Sequence, residues 1–293
     1  MLSDIAQTIV GGVAVGCVYG LTALGFVLIY KATEVLNFAQ GELMMLAAFA
    51  ALIIVTFFKL PFWLSAICAI AVVSCAGAAI NRFVLRRLVG EPVFAILMAT
   101  IGLGYLLRSG MSMVPGWGAE TFSLNSPFTG KFVRLGSIAI AQDHLLAIAA
   151  TLLACAGLFL FFRYTRTGIA MQAVSQNQLA AAFVGVRVER MFSLVWALGA
   201  ATAALAGILL APLTFVHVNM GLIGLNALPA AVLGGFGSIP GAILGGLIVG
   251  LSEVFAGRYG PEGLKDIIPY VLLLAVLLLR PQGLFGISLK RRV

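Results

Sequence analysis

The chain has 293 residues, of which 62% are hydrophobic and 10% are charged, and its formal net charge is +8. Soluble domains carry roughly 25% charged residues, so this composition excludes an ordinary cytosolic enzyme, a disordered chain and a coiled coil. The basic residues stand in short clusters between apolar runs, which is typical of membrane-protein loops rather than of a nucleic-acid-binding surface. The apolar runs are continuous, so we expect an all-α, polytopic membrane helical bundle and not a β-barrel.

About eight spans are predicted, including one glycine-rich broken segment near residues 226–256. The first four are approximately Ile5–Tyr30, Leu36–Phe58, Phe62–Phe83 and Val93–Met113. A polar loop at 114–143, carrying a short hairpin or a surface helix, separates them from His144–Phe162, Met191–Pro212, the broken segment and Ile267–Leu279. No linker divides these spans, so residues 1–293 are expected to form one transmembrane domain.

The distribution of Lys and Arg among the short loops predicts the orientation. The densest internal cluster, at residues 82–87, places the loop after the third span in the cytoplasm. Counting passes from there places residues 114–143 outside, and residues 164–190 and the basic tail at 290–292 inside. The segment 226–256 then has two arms that begin and end on the outer side, either as two full passes or as one re-entrant hairpin.

Small residues at four-residue spacing predict close helix contacts. They occur in the first span at Gly12, Gly16 and Gly20, and in the sixth at Gly199, Ala203, Gly207 and Ala211. These faces serve either packing within the chain or contact with another subunit or a transport path.

The sequence contains no motif that indicates catalysis. Gly130-Lys131 is followed by Phe132, so it is not a phosphate loop. His144 and His217 are far apart, and the four cysteines have no metal-ligand spacing. We therefore expect no catalytic residue, cofactor or metal on this chain, and energy for uphill transport would come from a gradient or from another subunit.

The segment Asn37-Phe38-Ala39-Gln40-Gly41-Glu42 lies at the entry to the second span. Asn37 can cap the helix, and Glu42 can interact with the positive end of its dipole. Alternatively, Glu42 is a buried group that serves the transport route or links helices, because carboxylates inside a membrane are costly. A second acidic residue, Glu253, either pairs with Arg258 at the outer surface or acts in transport.

Residues 164–190 are too polar to span a membrane, yet they are rich in helix formers. We expect one or two short helices beneath the membrane, ended by Gly185. A plain connection of this length is unusual in a helical bundle, so a docking element for a soluble partner is the favoured interpretation. In the broken segment, interrupted backbone at membrane depth either lines a cavity or forms a tight turn between two helices.

Three segments together carry a resemblance to a known family. Gly12-x-x-x-Gly16-x-x-Tyr19-Gly20-Leu21-x-Ala23-Leu24-Gly25, followed by the Asn37–Glu42 segment, resembles the start of the H-subunit (LivH-type) permeases of branched-chain amino-acid ABC importers. Residues 167–186 and 228–246 are also similar to that family, in order along nearly the whole chain. Gln40 departs from the family pattern, which usually has His at this position.

The resemblance implies a heterodimeric channel with an M-type permease, two cytoplasmic ATPases that hold ATP and Mg, and a periplasmic binding protein, in the bacterial inner membrane. The implied substrates are branched-chain or related neutral amino acids; urea, short amides and aromatic carboxylates are alternatives within the family. An ion-coupled secondary transporter is the alternative from another class, although such a carrier has no need of residues 164–190.

Two sets of candidate site residues follow. The set expected to couple to the ATPases is Gly168, Met171, Ala173, Asn177, Ala180, Ala181 and Gly185. The set expected to line or gate the translocation path is Tyr19, Asn37, Gln40, Glu42, Asn226, Pro229, Gly234, Gly235 and Gly237.

Overall fold

The structure is a computed structural model that describes residues 2–88, 91–135, 138–280 and 282–285. The first helices are α1 (Leu2–Thr33), α2 (Gln40–Phe58), α3 (Phe62–Phe83), a 3-10 turn (Leu85–Leu88) and α4 (Val93–Ser112). Strands β1 (Phe132–Leu135) and β2 (Ile138–Ala141) come next. The remaining helices are α5 (Gln142–Tyr164), α6 (Arg166–Gln176), α7 (Gln178–Phe183), α8 (Val188–Leu210), α9 (Met220–Leu225), α10 (Ala227–Gly234), α11 (Ile239–Tyr259) and α12 (Leu264–Leu279).

Seven described helices, α1 to α5, α8 and α11, are long and apolar enough to cross a membrane. The 16-residue α12 and the short α9 and α10 complete the bundle. The expectation of an all-α polytopic membrane bundle is therefore confirmed, although α9, α10 and α12 are each shorter than a typical membrane span. The basic tail at 290–292 lies outside the described residues.

Helix α1 is the centre of the bundle. It is apolar on all sides, as expected of a helix that neighbours surround, and 89% of its most apolar 18-residue window is buried. Its face of small residues packs on α11: a Cβ at Gly12 would lie 3.1 Å from the Cα of Leu251, and one at Gly20 would lie 3.3 Å from the Cα of Ile243. The stripe on α1 therefore serves packing within the chain.

The small residues of α8 serve the same purpose toward two other helices. A Cβ at Gly199 would lie 2.7 Å from Cδ1 of Ile29 in α1, and Gly207 lies against the backbone of Met44 in α2. Because these two glycines carry no side chain, α1, α2 and α8 approach one another closely and form the core of the bundle.

The polar loop between α4 and α5 contains an antiparallel hairpin, with Phe132 paired to Ala141. Trp117 in this loop stacks on Phe49 of α2, with 5.0 Å between the ring centroids. An isolated bridge between Phe122 and Val216 joins the loop to the residues that follow α8. Of the two expected forms, hairpin or surface helix, the structure shows the hairpin.

The broken segment forms two antiparallel arms. The first consists of α9 and α10, which span about 22 Å at 1.5 Å per residue, and the second is α11. A tight turn joins them, where Gly235 has a φ of 90° and Gly234 lies against the backbone of Gly241. The glycine-rich sequence is thus a turn between helices, whereas the interruption inside an arm lies at Asn226. After α12, the backbone N–H of Leu284 donates to the carbonyl of Leu233, so residues 282–285 pack beside this turn.

Candidate functional site

Gln40 lies at the first position of α2 and has no exposed surface. Its Nε2 donates to the carbonyl of Gly199 in α8 at 2.8 Å. A side chain at Gly25 of α1 would overlap this amide, and the glycine therefore leaves room for it. Gln40 therefore links α2 to α1 and α8 through a neutral amide.

Asn37 lies in the irregular stretch before α2 and is fully buried. Its Oδ1 accepts a hydrogen bond from the backbone N–H of Ala39, and its Nδ2 donates to Oε1 of Gln40, both at 3.1 Å. The residue at the N-cap position is Ala39, without a side-chain cap. The expectation that Asn37 caps α2 is therefore wrong: it shapes the turn before the helix and orients Gln40.

Glu42 forms an ion pair with Arg108 of α4. The Glu42 residue is only 5% exposed, whereas the side chain of Arg108 is 21% exposed. Gly221 of α9 lies against the carboxylate, and a Cβ at Gly104 would lie 3.4 Å from Cγ of Glu42. Oε2 of Glu42 and Nε of Arg108 are buried and have no hydrogen-bond partner in the described part of the chain. Glu42 lies in the first turn of α2, where it can interact with the helix dipole, and it is also a buried group that links α2 to α4.

The sequence interpretation missed Arg108. The signal that reveals it is a lone cation inside the apolar run Val93–Ser112, since a charge within a membrane span requires a partner. The acidic residue that can supply this partner is Glu42, in the neighbouring second span.

A groove lies beside this ion pair, between α2, α4 and α9. Its volume is about 450 Å³ when the open space at its mouth is included. Besides the pair and Gly104, its lining is apolar or aromatic: Phe38, Ile101, Tyr105, Leu222 and Leu225. Tyr105 and Leu222 are exposed in the isolated chain, so the groove opens at the surface of the subunit.

A second polar cluster surrounds Tyr19 in the middle of α1. Tyr19 is 2% exposed, and its hydroxyl lies close to Glu253 of α11 and Asn226 between α9 and α10. The hydroxyl of Tyr270 in α12 donates to Oδ1 of Asn226 at 3.2 Å. Within the described ranges Glu253 forms no ion pair with Arg258, contrary to one expectation, because the carboxylate lies beside Tyr19 instead.

The other path candidates lie on α10 and the turn after it. Pro229 and Gly234 are buried in α10. Gly235 has the positive φ of the turn, and a Cβ at Gly237 would meet nothing within 4 Å. The structure thus divides the path candidates into three groups: the start of α2, the Tyr19 cluster and the α10 turn.

Helices α6 and α7 occupy the predicted coupling segment (residues 164–190). Gly168 lies close to the backbone of α5, where a Cβ would be 2.7 Å from the Cα of Phe162. Asn177 ends α6 and caps α7, since its Oδ1 accepts a hydrogen bond from the backbone N–H of Ala180 at 2.9 Å.

Gly185 has a φ of 87° and ends α7, as expected. The backbone N–H of Val186 donates to the carbonyl of Ala181, and the N–H of Gly185 donates to the carbonyl of Ala182. These two bonds form the Schellman pattern that ends many helices.

The two sides of the coupling segment differ in exposure. Met171, Val174 and Ala181 are buried against the rest of the chain. Leu179, Phe183 and Val184 are exposed, Phe183 by 89%. Of the residues expected to couple to the ATPases, Met171 and Ala181 therefore face inward, whereas Ala180 is exposed beside these larger apolar side chains.

The sequence agrees with this architecture. Residues 8–277 match the family model described as branched-chain amino acid transport system / permease component. The chain belongs to this permease family. It is 32% identical to the high-affinity branched-chain amino acid transport system permease protein LivH of Escherichia coli K12, over 96% of this chain and 95% of that protein. The same identity and coverage hold for the permease protein BraD of Pseudomonas aeruginosa.

The permease also resembles a more distant relative and a solved structure. It is 27% identical to the probable LivH permease of Methanocaldococcus jannaschii, over 99% of this chain and 96% of that protein. PsaBC from Streptococcus pneumoniae, solved in complex with Fab, has a TM-score of 0.51 at 13% identity and covers 96% of this chain and 93% of its own. At that identity the likeness concerns the fold alone.

Proposed function

We propose that this permease is the membrane subunit of an ABC importer and forms part of the path for branched-chain or related neutral amino acids across the bacterial inner membrane. The observation that carries the proposal is the family match over residues 8–277, together with the near full-length similarity to LivH and BraD. Both relatives are named as permeases of high-affinity branched-chain amino acid transport systems.

The proposed assembly pairs the chain with an M-type permease, two cytoplasmic ATPases and a periplasmic binding protein. ATP and Mg would be held by the ATPases. The exposed side chains of Leu179, Phe183 and Val184 support a soluble partner at the coupling segment, because contiguous apolar surface on a polar, extramembrane element is typical of a protein–protein contact.

Close contacts hold the coupling segment against the bundle, as transmission of force would require. Met171 and Val174 anchor α6 to the bundle, and Gly168 permits close contact with α5. The capped junction at Asn177 holds α6 and α7 in a fixed relation. A push on α7 would therefore move α5 and α8 as well, which is how closure of two ATPases would reach the path.

The test is reconstitution of the complete importer in proteoliposomes, with binding protein outside and ATP inside. We expect uptake of radiolabelled leucine that requires both ATP and the binding protein. Uptake by the permease without ATPases, driven by an ion gradient, would instead establish a secondary transporter. Uptake of urea in place of leucine would assign the complex to the amide-transporting alternative.

A further inference from the structure

The Glu42–Arg108 pair has unused hydrogen-bonding capacity on both partners and lies beside a groove. We propose that Arg108 is a carboxylate-binding group of the transport path, which holds the carboxylate of the solute while Glu42 receives its ammonium group. The path would then favour solutes with a free carboxylate over urea and simple amides. This inference rests on the proposed function, since it requires that the solute passes along this subunit.

The position of Arg108 is the first argument. A cation in an apolar span is costly and marks a pathway or a specific pair. Arg108 has its pair in Glu42, yet its side chain remains 21% exposed and reaches the groove. A pair that served only to hold α2 against α4 would gain nothing from this opening.

The unused atoms are the second argument. A guanidinium has five N–H donors and a carboxylate has two acceptor oxygens, but one contact, between Nη2 of Arg108 and Oε1 of Glu42, joins the two. Nε and Oε2 are buried without partners in the described residues, which is an unfavourable arrangement for polar groups. A zwitterion brings both an anion for Arg108 and a cation for Glu42.

The third argument is access through α9. Gly221 covers the carboxylate of Glu42, and Gly224 of the same helix lies against Gly41. α9 is a six-residue helix in the broken segment, so a displacement of this short element would expose Oε2 to the groove. The pair would thus be shielded in one state of the permease and available in another.

The lining of the groove suits a neutral amino acid. Phe38, Ile101, Leu222 and Leu225 offer apolar contacts to an aliphatic side chain. The charges of a zwitterion cancel, as do those of Glu42 and Arg108, so binding adds no net charge at this depth. Glu42 also competes for the guanidinium, which keeps binding weak enough for release, as a transport site requires.

The first experiment measures solute binding directly. In the complete importer, with the four native cysteines replaced by alanine, Leu222→Cys places a thiol in the groove. We expect millimolar leucine to slow its reaction with a thiol reagent, and leucinamide and urea to have no effect. Protection should disappear with Arg108→Gln. Equal protection by leucine and leucinamide, protection that survives Arg108→Gln, or no protection by leucine would overturn the proposal.

The second experiment separates recognition from packing. The double variant Glu42→Gln/Arg108→Gln leaves no unpaired charge, so we expect it to assemble in normal yield yet to take up leucine about tenfold to a hundredfold more slowly, as loss of charge-assisted hydrogen bonds predicts. Wild-type uptake by this variant would show that the pair only holds helices together. A matched control is Arg87→Gln/Glu91→Gln, which removes two opposite charges at exposed positions outside both sets of candidate site residues and should leave uptake unchanged.

The two proposals can fail separately. If leucine protects the thiol at position 222 but ATP-dependent leucine uptake is absent, the proposed function fails and the carboxylate site stands. If leucine uptake is normal and the double variant transports like the wild type, the proposed function stands and the carboxylate site fails.

Discussion

Gly16 of α1 lies against the backbone of Leu247 in α11, so that a Cβ on the glycine would stand 2.8 Å from the Cα of Leu247. That separation is shorter than real Cβ contacts, and the nearest atom belongs to backbone that cannot rotate away. The two helices therefore approach each other as closely as their main chains permit, and α1 keeps its place at the centre of the bundle through this contact.

The first prediction follows from that contact. Gly16→Leu should lower the melting temperature and the yield of monodisperse protein in detergent, because overpacking a close contact typically costs about 1–3 kcal/mol. The matched control is Gly102→Leu in α4, where a Cβ would meet nothing within 4 Å. A Gly16→Leu variant as stable as the control would mean that α1 and α11 can separate without loss.

The second prediction concerns the amide of Gln40. Gln40→Leu leaves the buried Nδ2 of Asn37 without its acceptor, Oε1 of Gln40, and removes one of two side-chain donors to the Gly199 carbonyl, which still accepts from Oγ1 of Thr202. The change should destabilise the chain by about 1–3 kcal/mol, the typical cost of an unsatisfied buried polar group. Gln176→Leu, at an exposed position that ends α6, is the control and should change stability little. Thermal unfolding of both variants, followed in the same detergent, gives the comparison; equal stability would rule out a linking role for the amide.

The third prediction separates the two faces of α7. Phe183→Glu should leave the fold intact while it weakens capture of the ATPases and abolishes ATP-driven uptake, because Phe183 is 89% exposed. Ala181→Glu should lower thermal stability, since it buries a carboxylate against the chain. Co-purification with the ATPases and melting temperature are measured for each variant. Full ATPase capture by Phe183→Glu would remove α7 from the docking surface.

The fourth prediction concerns the orientation of the chain. In a variant without native cysteines, Ser123→Cys and Gln176→Cys, both at exposed positions, should react from opposite sides of the membrane. An impermeant thiol reagent added to intact cells should label position 123 and spare position 176 until the cells are opened. Labelling of both positions in intact cells would reverse the loop assignment that the basic residues predict.

The limits of the helices could be predicted better than the contacts between them. The apolar run predicted for the third span, Phe62–Phe83, has the bounds of α3, since hydropathy and flanking polar residues define it locally. The predicted second span began at Leu36, four residues before α2, because Asn37 bonds to nearby backbone and to Gln40 in an irregular turn that hydropathy cannot register.

The candidate site shows the same division. That Glu42 is buried could be inferred from its place beside an apolar run, but its partner is 66 positions away on another helix. The neighbours of Tyr19 lie on α11 and at the α9–α10 junction for the same reason. Such pairs arise from the packing of different helices, and the spacing of residues in a single sequence does not predict which of them will meet. Ala181 is among the residues predicted to couple to the ATPases, yet it is buried, because three adjacent alanines do not indicate which of them faces inward.

The outward side chains of α7 also affect how the protein must be made. Leu179, Phe183 and Val184 form an apolar patch on a segment whose charge pattern predicts exposure to the cytosol. A copy that lacks its cytosolic partner presents this patch to water, where it invites aggregation and recognition by chaperones and proteases. Synthesis of the permease in excess of its partner should therefore shorten its lifetime in the cell, which makes balanced production of the subunits a requirement of the fold itself.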